Sequence, residues 1–345
     1  MSRESNLTTG KTGPEHPTQA PRIGLVIPTL NAGGHLDRLL PALRRQTLRP
    51  ARFLVVDSDS RDDTVRRFRE AGADVTIIAP ESFDHGATRQ MAVEMLTDVQ
   101  IIIFLTQDAI PAHPEAFANL TAPFEDPDTG MAYGRQLPSP GAGPIGAHAR
   151  LFNYPAQSHR RRLADAARYE IKTVFCSNSF AAYRRSALVE VGGFPKGTIL
   201  GEDMLAAASL LRKGWNMCYA AEARVHHSHD YGPVEEFRRY FDIGVLHGTR
   251  SELLAGFGRP DRAGWRFLSS ELRYLRAHAA HLIPVALLRT ILKYGGYRLG
   301  RTARRLPRAL NRRLGLNRRY WSNRKLGPET PDPERHAAGK LQTGR

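Results

Sequence analysis

The sequence predicts an α/β domain on a mostly parallel sheet flanked by helices, with a helical, basic C-terminal appendage. Three observations predict it. From Arg22 onward, short β-type apolar runs alternate with amphipathic stretches, the pattern of strands joined by crossover helices. At 345 residues and 41% apolar content, the chain has material for one large domain plus an appendage. Beyond Gly256 the composition shifts to Leu, Ala and Arg, and residues 301–325 hold ten Lys or Arg and no Asp or Glu.

Residues 1–21 are polar, rich in Thr, Gly, Pro and Glu, and contain no apolar stretch suited to a secretory signal, so they read as a disordered leader. The run 23–27 is a buried strand, and Leu36, Leu39, Leu40 and Leu43 recur at helical spacing after it. Residues 52–57 carry Phe53, Leu54, Val55 and Val56 as a second strand. Ser60 with Asp63 three residues later resembles a capping box that opens the next helix. Residues 75–78 form a third strand, 86–96 a helix, and 101–105 a fourth strand, all four expected to run parallel. The Gly/Pro-rich stretch 138–144 and the basic, irregular residues through Tyr169 predict a flexible connection. A strand at 180–183, helices at 186–191 and from Glu202, a returning strand at 215–220 and an amphipathic helix over 234–246 follow. These boundaries give a leader at 1–21, a main domain at 22–255, a basic helical appendage at 256–326 and a disordered tail at 327–345.

The net charge of +16 draws the molecule toward nucleic acid, nucleotide phosphates or anionic membranes without choosing among them. Cys176 and Cys218 are too few for a disulfide framework and lack metal-ligand spacing, which fits a reducing, cytosolic setting. The longest apolar stretch, 279–292, is interrupted by His281, Pro284 and Arg289, so no transmembrane helix is predicted. In 301–325 the charges interleave with Leu306, Leu310, Leu314, Tyr320 and Trp321. That pattern suits either an anionic membrane interface with aromatic anchors or a solvated basic tail.

In open sheets of this kind ligands bind beyond the carboxyl ends of the strands, so Pro28-Thr29, Asp57-Ser58-Asp59 and Gln107-Asp108 should converge on one crevice. A carboxylate such as Asp108 at the end of a buried strand needs a cationic partner, which Mg²⁺ or Mn²⁺ bridging to a diphosphate would supply; a helix cap is the plainer use. Asp57 and Asp59 offer acceptors for ribose hydroxyls or a base edge, or simply shape the turn. Glu202 and Asp203 head a helix, where the dipole favours the charged form that a general base requires, though capping also explains them. The segment 83–89 opens a helix whose N–H groups could face phosphate, with Arg89 one turn further in or on the surface. His227 and His229 share a face if extended and make a plausible pair near a metal; a closed zinc site lacks a second cluster. No phosphate-binding glycine loop, zinc finger or Ser-His-Asp motif is present, and the first strand leads into Pro-Thr-Leu-Asn instead of the Gly-x-Gly turn of nicotinamide dehydrogenases.

Taken together, Ile27-Pro28-Thr29-Leu30-Asn31, the run Val55-Val56-Asp57-Ser58-Asp59-Ser60 with Asp62-Asp63-Thr64, Thr106-Gln107-Asp108, and Gly201-Glu202-Asp203 resemble glycosyltransferase family 2 over about residues 22–250. Phe83-Asp84-His85-Gly86 through Arg89, the Gln-Asp-Ala form of the metal motif, and Tyr240-Phe241-Asp242-Ile243-Gly244 look like the bacterial rhamnosyltransferases within that family. The resemblance implies an inverting enzyme of the GT-A fold. It implies a nucleotide-sugar site built from Pro28, Thr29, Asn31, Asp57, Asp59, Arg89, Gln107, Asp108 and Glu202. Asp203 would be the base, and Asp108 would bind Mg²⁺ or Mn²⁺ with water and His227 or His229, because Gln107 stands where many relatives carry an acid. The implied donor is dTDP-L-rhamnose, with UDP- or GDP-sugars as the alternative. The implied acceptor is a lipid-linked saccharide of cell-surface polysaccharide, such as O-antigen, met at the inner face of the cytoplasmic membrane. The Gln-x-x-Arg-Trp motif and membrane spans of processive relatives are missing, so transfer of single sugars is expected. A nucleotidyltransferase and a basic nucleic-acid-binding protein are the rival classes; no nucleic-acid partner is expected.

Overall fold

Apolar residues that alternate along neighbouring strands lay down the two faces of a central sheet. Val26, Leu54, Val56, Ile102 and Phe104 point to one buried cluster, and Leu25, Ile27, Val55, Ile103 and Leu105 point to the other. The structure is a computed structural model that describes residues 21–228, 231–258 and 261–322. The expected leader, apart from Pro21, and the expected tail lie outside the described residues.

The first half reads β1 (Ile23–Thr29), α1 (Gly33–Arg44), β2 (Arg52–Asp57), α2 (Thr64–Glu70), β3 (Asp74–Ile77), α3 (His85–Met95) and β4 (Ile101–Leu105). These four strands are parallel, as the alternating pattern requires: β1 lies between β2 and β4, and β3 flanks β2. There follow β5 (Ile110–Pro111), α4 (Ala116–Thr121), β6 (Thr129–Leu137), α5 (Pro144–Asn153), β7 (His159–Arg161), α6 (Ala166–Tyr169), β8 (Phe180–Arg184), α7 (Arg185–Glu190), α8 (Glu202–Arg212) and β9 (Asn216–His226). The sheet order is β3-β2-β1-β4-β8-β6-β9-β5, with β7 beside β9. Only β8 and the short β5 and β7 run against the rest, so the ends of β1, β2, β4, β6 and β9 and the start of β8 all meet at one edge. Phe104 anchors one core, with its ring edge-on to Tyr183 and Phe194 at 5.8 and 5.3 Å. Each such aromatic pair adds about 0.5–1.5 kcal/mol beyond its buried area.

The chain ends in α9 (Pro233–Thr249), α10 (Asp261–His278), α11 (Ile283–Gly300), α12 (Arg308–Leu314) and α13 (Arg318–Ser322). Pro233 opens α9 at a position where its missing N–H costs nothing. Gly296 and Gly300 lie against the carbonyls of Phe237 and Phe241, and any side chain there would collide with them, so α9 and α11 touch backbone to backbone.

Three expectations need correction. Residues 138–169 are no loose connection: α5 is tied to β6 through Arg150 and Gln136 at 2.8 Å and to α10 through His148 and Ser270 at 3.0 Å, while β7 pairs with β9. β6 escapes sequence reading because Gly130 and Gly134 break its apolar pattern. Both glycines are needed there, since a Cβ would strike Trp215 at the first and Phe180 at the second. The capping box does not form. Asp62 Oδ1 accepts from Thr64 N at 3.0 Å, and the Ser60 hydroxyl is turned toward Asp57 instead. Finally, Tyr320 and Trp321 are not surface anchors: at 4% and 3% exposure they sit in the main core cluster. Asp242 Oδ2 accepts from Leu316 N at 3.1 Å and Asn317 N at 2.8 Å, and Asn317 Nδ2 donates to Ile199 O at 2.9 Å. The basic segment is thereby fastened to the main domain by its aromatic and polar residues, and Arg312, Arg313, Arg318 and Arg319 are left exposed.

Candidate active site

The strand ends build the first wall of the crevice. Asp57 is fully buried, and its carboxylate accepts from the Thr29 hydroxyl at 2.6 Å, from Ser60 N at 2.7 Å and from the Ser60 hydroxyl at 2.7 Å. Gln107 clamps the next turn, accepting from Leu30 N at 2.8 Å and donating to Leu30 O at 3.2 Å. Asn31 takes a left-handed φ of 49°, which Asn tolerates better than most residues, and its side chain accepts from Arg61 N at 2.9 Å. Asp59, also left-handed at φ 60°, is exposed, and Pro28 is half-buried beside Thr29. Thr29, Asn31, Asp57 and Gln107 are therefore spent largely on joining β1, β2 and β4 into one rim.

At the end of β4, Asp108 Oδ2 lies 3.3 Å from His227 Nε2, with His227 5% exposed. The other ring nitrogen, Nδ1, meets Gln136 Oε1 at 2.9 Å. Arg150 Nη1 donates to that same oxygen at 2.8 Å, which identifies it as the acceptor, so His227 Nδ1 must carry a hydrogen. Nε2 is therefore the ring nitrogen turned to the Asp108 carboxylate. His229, the other expected ligand, lies outside the described residues. Among the described residues no group of three or more His, Cys, Asp or Glu could hold a metal.

The opposite wall is the head of α8. Gly201 supplies a left-handed N-cap at φ 76°, and any side chain on it would meet Leu246. Asp203, half-buried, accepts from Asn178 N at 3.1 Å and Met204 N at 2.8 Å. Burial and the neighbouring Glu202 charge push its pKa up to about 6, against the pull of those two N–H groups. Thr106 N donates to Ser179 O at 3.2 Å, which ties the strand carrying Asp108 to the loop that holds Asp203.

Two residues expected near the donor lie beneath this wall. Glu202 is 5% exposed, paired with Arg89 Nη1 at 3.1 Å, and accepts from Asn178 Nδ2 at 3.1 Å. Burial pushes its carboxyl up, but Arg89 above all, then His85 and Asn178, hold it below the usual range. Arg89 is equally buried and also donates to His85 O at 3.0 Å, so it is neither a surface residue nor a donor ligand with open access. The α3 N-terminus is not free for phosphate either. Asp84 Oδ1 accepts from Ala87 N at 2.7 Å, and Gly86 is pressed against Pro195 O.

Sequence reasoning missed His85, Gln136, Arg150 and Asn178. His85 lies under the same wall, where burial lowers its pKa against the pull of the nearby Glu202 charge. The polar stretch Ser177-Asn178-Ser179 between apolar runs is the signal that could have exposed Asn178. Gln136 and Arg150 carry none.

The profile described as glycosyl transferase family 2 matches residues 25–192. The chain is 45% identical over 303 residues to the O-antigen chain rhamnosyltransferase RfbN of Salmonella typhimurium, covering 88% of this chain and 96% of that one. It is 40% identical over 304 residues to the O-antigen chain rhamnosyltransferase WbaN of Salmonella anatum, with the same coverage of 88% and 96%. Among solved structures, the mannosyltransferase PcManGT of Pyrobaculum calidifontis, in complex with GDP-Man and Mn²⁺, is similar at a TM-score of 0.58 and 19% identity over 84% of this chain and 88% of that one. That last likeness establishes the GT-A fold and nothing further.

Proposed function

Because this chain belongs to glycosyltransferase family 2, we propose that it moves L-rhamnose from dTDP-L-rhamnose to a hydroxyl of a lipid-linked saccharide in O-antigen assembly, with inversion at the sugar. The observation that carries this reading is Asp203 at the head of α8, a carboxylate oriented by two backbone N–H groups and tied through Asn178, Ser179 and Thr106 to the end of β4. Asp203 takes the proton of the acceptor hydroxyl as its oxygen attacks the anomeric carbon opposite the diphosphate. The bond from that carbon to the diphosphate oxygen breaks, and dTDP leaves. A pKa near 6 leaves Asp203 mostly ionised at neutral pH yet basic enough to accept a proton.

Asp108 and His227 would hold Mg²⁺ or Mn²⁺: a carboxylate and a ring nitrogen that face each other at 3.3 Å are both groups such an ion takes as ligands. When bound, such an ion neutralises charge on the departing diphosphate. The rim residues Pro28, Thr29, Asn31, Asp57, Asp59 and Gln107 shape the nucleotide pocket. Glu202 and Arg89 support Asp203 from behind.

A peripheral place on the inner face of the cytoplasmic membrane suits a lipid-linked acceptor. Among the described residues no helix is long and apolar enough to cross a membrane. With Tyr320 and Trp321 buried, the surface that favours lipid is α11, where Leu287, Leu288, Ile291 and Tyr294 are 42%, 52%, 67% and 60% exposed on one face. Leu288→Ser with Ile291→Ser is expected to weaken flotation on vesicles; unchanged flotation moves the contact elsewhere.

The test of the reaction is nucleoside diphosphate release from dTDP-L-rhamnose, UDP-glucose and GDP-mannose in turn, with a lipid-linked saccharide extract. Release from the first alone is expected. Turnover of UDP-glucose or GDP-mannose in its place overturns the choice of rhamnose.

A further inference from the structure

Arg238 on α9, Arg312 and Arg313 on α12, and Arg318 with Ser322 on α13 line one open pocket of about 440 Å³. Among the described residues, no carboxylate lies within 4.0 Å of these four guanidinium groups. Like charges gathered side by side repel one another, and an anion in their midst removes that cost. Guanidinium groups present paired N–H donors that match phosphate oxygens two at a time. A solvated basic surface needs no such convergence from three separate helices.

The backbone beneath the pocket is also held firmly. Asp242, one turn after Arg238 on α9, accepts from Leu316 N and Asn317 N, while Trp321, next to Ser322, is buried in the core. The Asn317 side chain reaches Ile199 O, three residues before Glu202, so the pocket adjoins the loop that leads into the head of α8. Arg312, Arg313 and Arg318 belong to the basic segment 301–325, and the fold gathers them with Arg238.

We propose that this pocket binds phosphate groups, as a diphosphate or a phosphodiester, at a site distinct from the one that holds the nucleotide-sugar. The phosphate comes either from a soluble molecule or from a lipid headgroup. The inference stands apart from the transfer reaction, since binding can be measured on an enzyme that turns over nothing.

The full chain is titrated calorimetrically with inorganic pyrophosphate in EDTA, which prevents capture through a metal at Asp108. The same protein is floated on vesicles of phosphatidylglycerol in phosphatidylcholine. The variant Arg312→Gln/Arg313→Gln/Arg318→Gln is compared with Arg44→Gln/Arg45→Gln/Arg49→Gln, which removes the same charge from exposed residues elsewhere. A tenfold or greater loss of pyrophosphate affinity in the pocket variant, against twofold or less in the control, supports the site. If flotation then also falls more in the pocket variant, the phosphate is a lipid headgroup. If flotation falls equally in both, the ligand is soluble. Equal loss of pyrophosphate affinity in the two variants, or loss in neither, overturns the proposal.

Discussion

Arg89 of α3 and Glu202 of α8 form an ion pair at 3.1 Å with both side chains only 6% exposed, directly behind the candidate base Asp203. The pair locks two helices together and sets the charge that Asp203 feels. Removing one partner strands a buried charge, which costs about 3–5 kcal/mol in such pairs. Arg89→Met is expected to fall in that range by urea unfolding, and Arg89→Met/Glu202→Gln to recover much of the loss. A double variant no more stable than the single one would show that shape, and not charge, holds the helices.

Asp203 must be ionised to accept a proton, and its carboxyl is pushed up to about 6 by burial and by Glu202. Turnover should therefore decline as pH falls through about 6. Asp203→Asn should lower kcat by roughly 10²–10⁴ with little change in donor KM, the size of a general-base contribution. A pH profile flat from 5 to 8 would remove Asp203 from that role.

Gln136 fixes the His227 ring through Nδ1 and is itself fixed by Arg150. If Asp108 and His227 hold a divalent ion, Gln136→Leu should weaken Mn²⁺ binding by about 10–100-fold, as loss of an outer partner of a ligating histidine does. The readout is the free Mn²⁺ signal in electron paramagnetic resonance, with Asp108→Asn as the stronger comparison. Equal binding by wild type and Gln136→Leu would detach the histidine from the ion.

Asp242 clasps the C-terminal segment, and burial pushes its carboxyl up to about 7 in spite of the Asn317 and Leu316 N–H groups. Its native pKa is raised, so the folded protein holds this proton more tightly than the unfolded chain does. The resulting stability is present below the unfolded carboxyl range near 4 and is lost as pH rises toward 7. Asp242→Asn keeps an acceptor and removes the titration. It should flatten the fall in stability between pH 5 and 8 by on the order of 1 kcal/mol or more. An identical pH slope in wild type and variant would place the titration elsewhere.

How much could be read beforehand varies along the chain. The four parallel strands and their polar tails were legible because each is a short local run rich in apolar and β-branched residues, and a parallel sheet brings its carboxyl ends to one edge. The two candidate carboxylates, Asp108 and Asp203, are conspicuous for the same reason: each follows a strong local signal, a strand end or a helix start. β6 was not legible, since Gly130 and Gly134 serve distant contacts with Trp215 and Phe180. Arg89 looked like a ligand because nothing local marks it as the partner of a carboxylate 113 positions away.

The sequence by itself determined the α/β class, the family resemblance, the gathering of polar strand ends at one edge and the strongly basic character of the C-terminal part. These depend on periodicity, composition and short motifs, all of which act over a few neighbouring residues. Only the tertiary structure decided which charges are buried partners and which stay open to solvent. It seats Tyr320 and Trp321 in the core, turns Arg89 inward to Glu202, sets His227 against Asp108, and gathers Arg238 with Arg312, Arg313 and Arg318. The reason is that burial and pairing are relations between residues far apart in the chain, and their energies exist only once packing has removed the water between them.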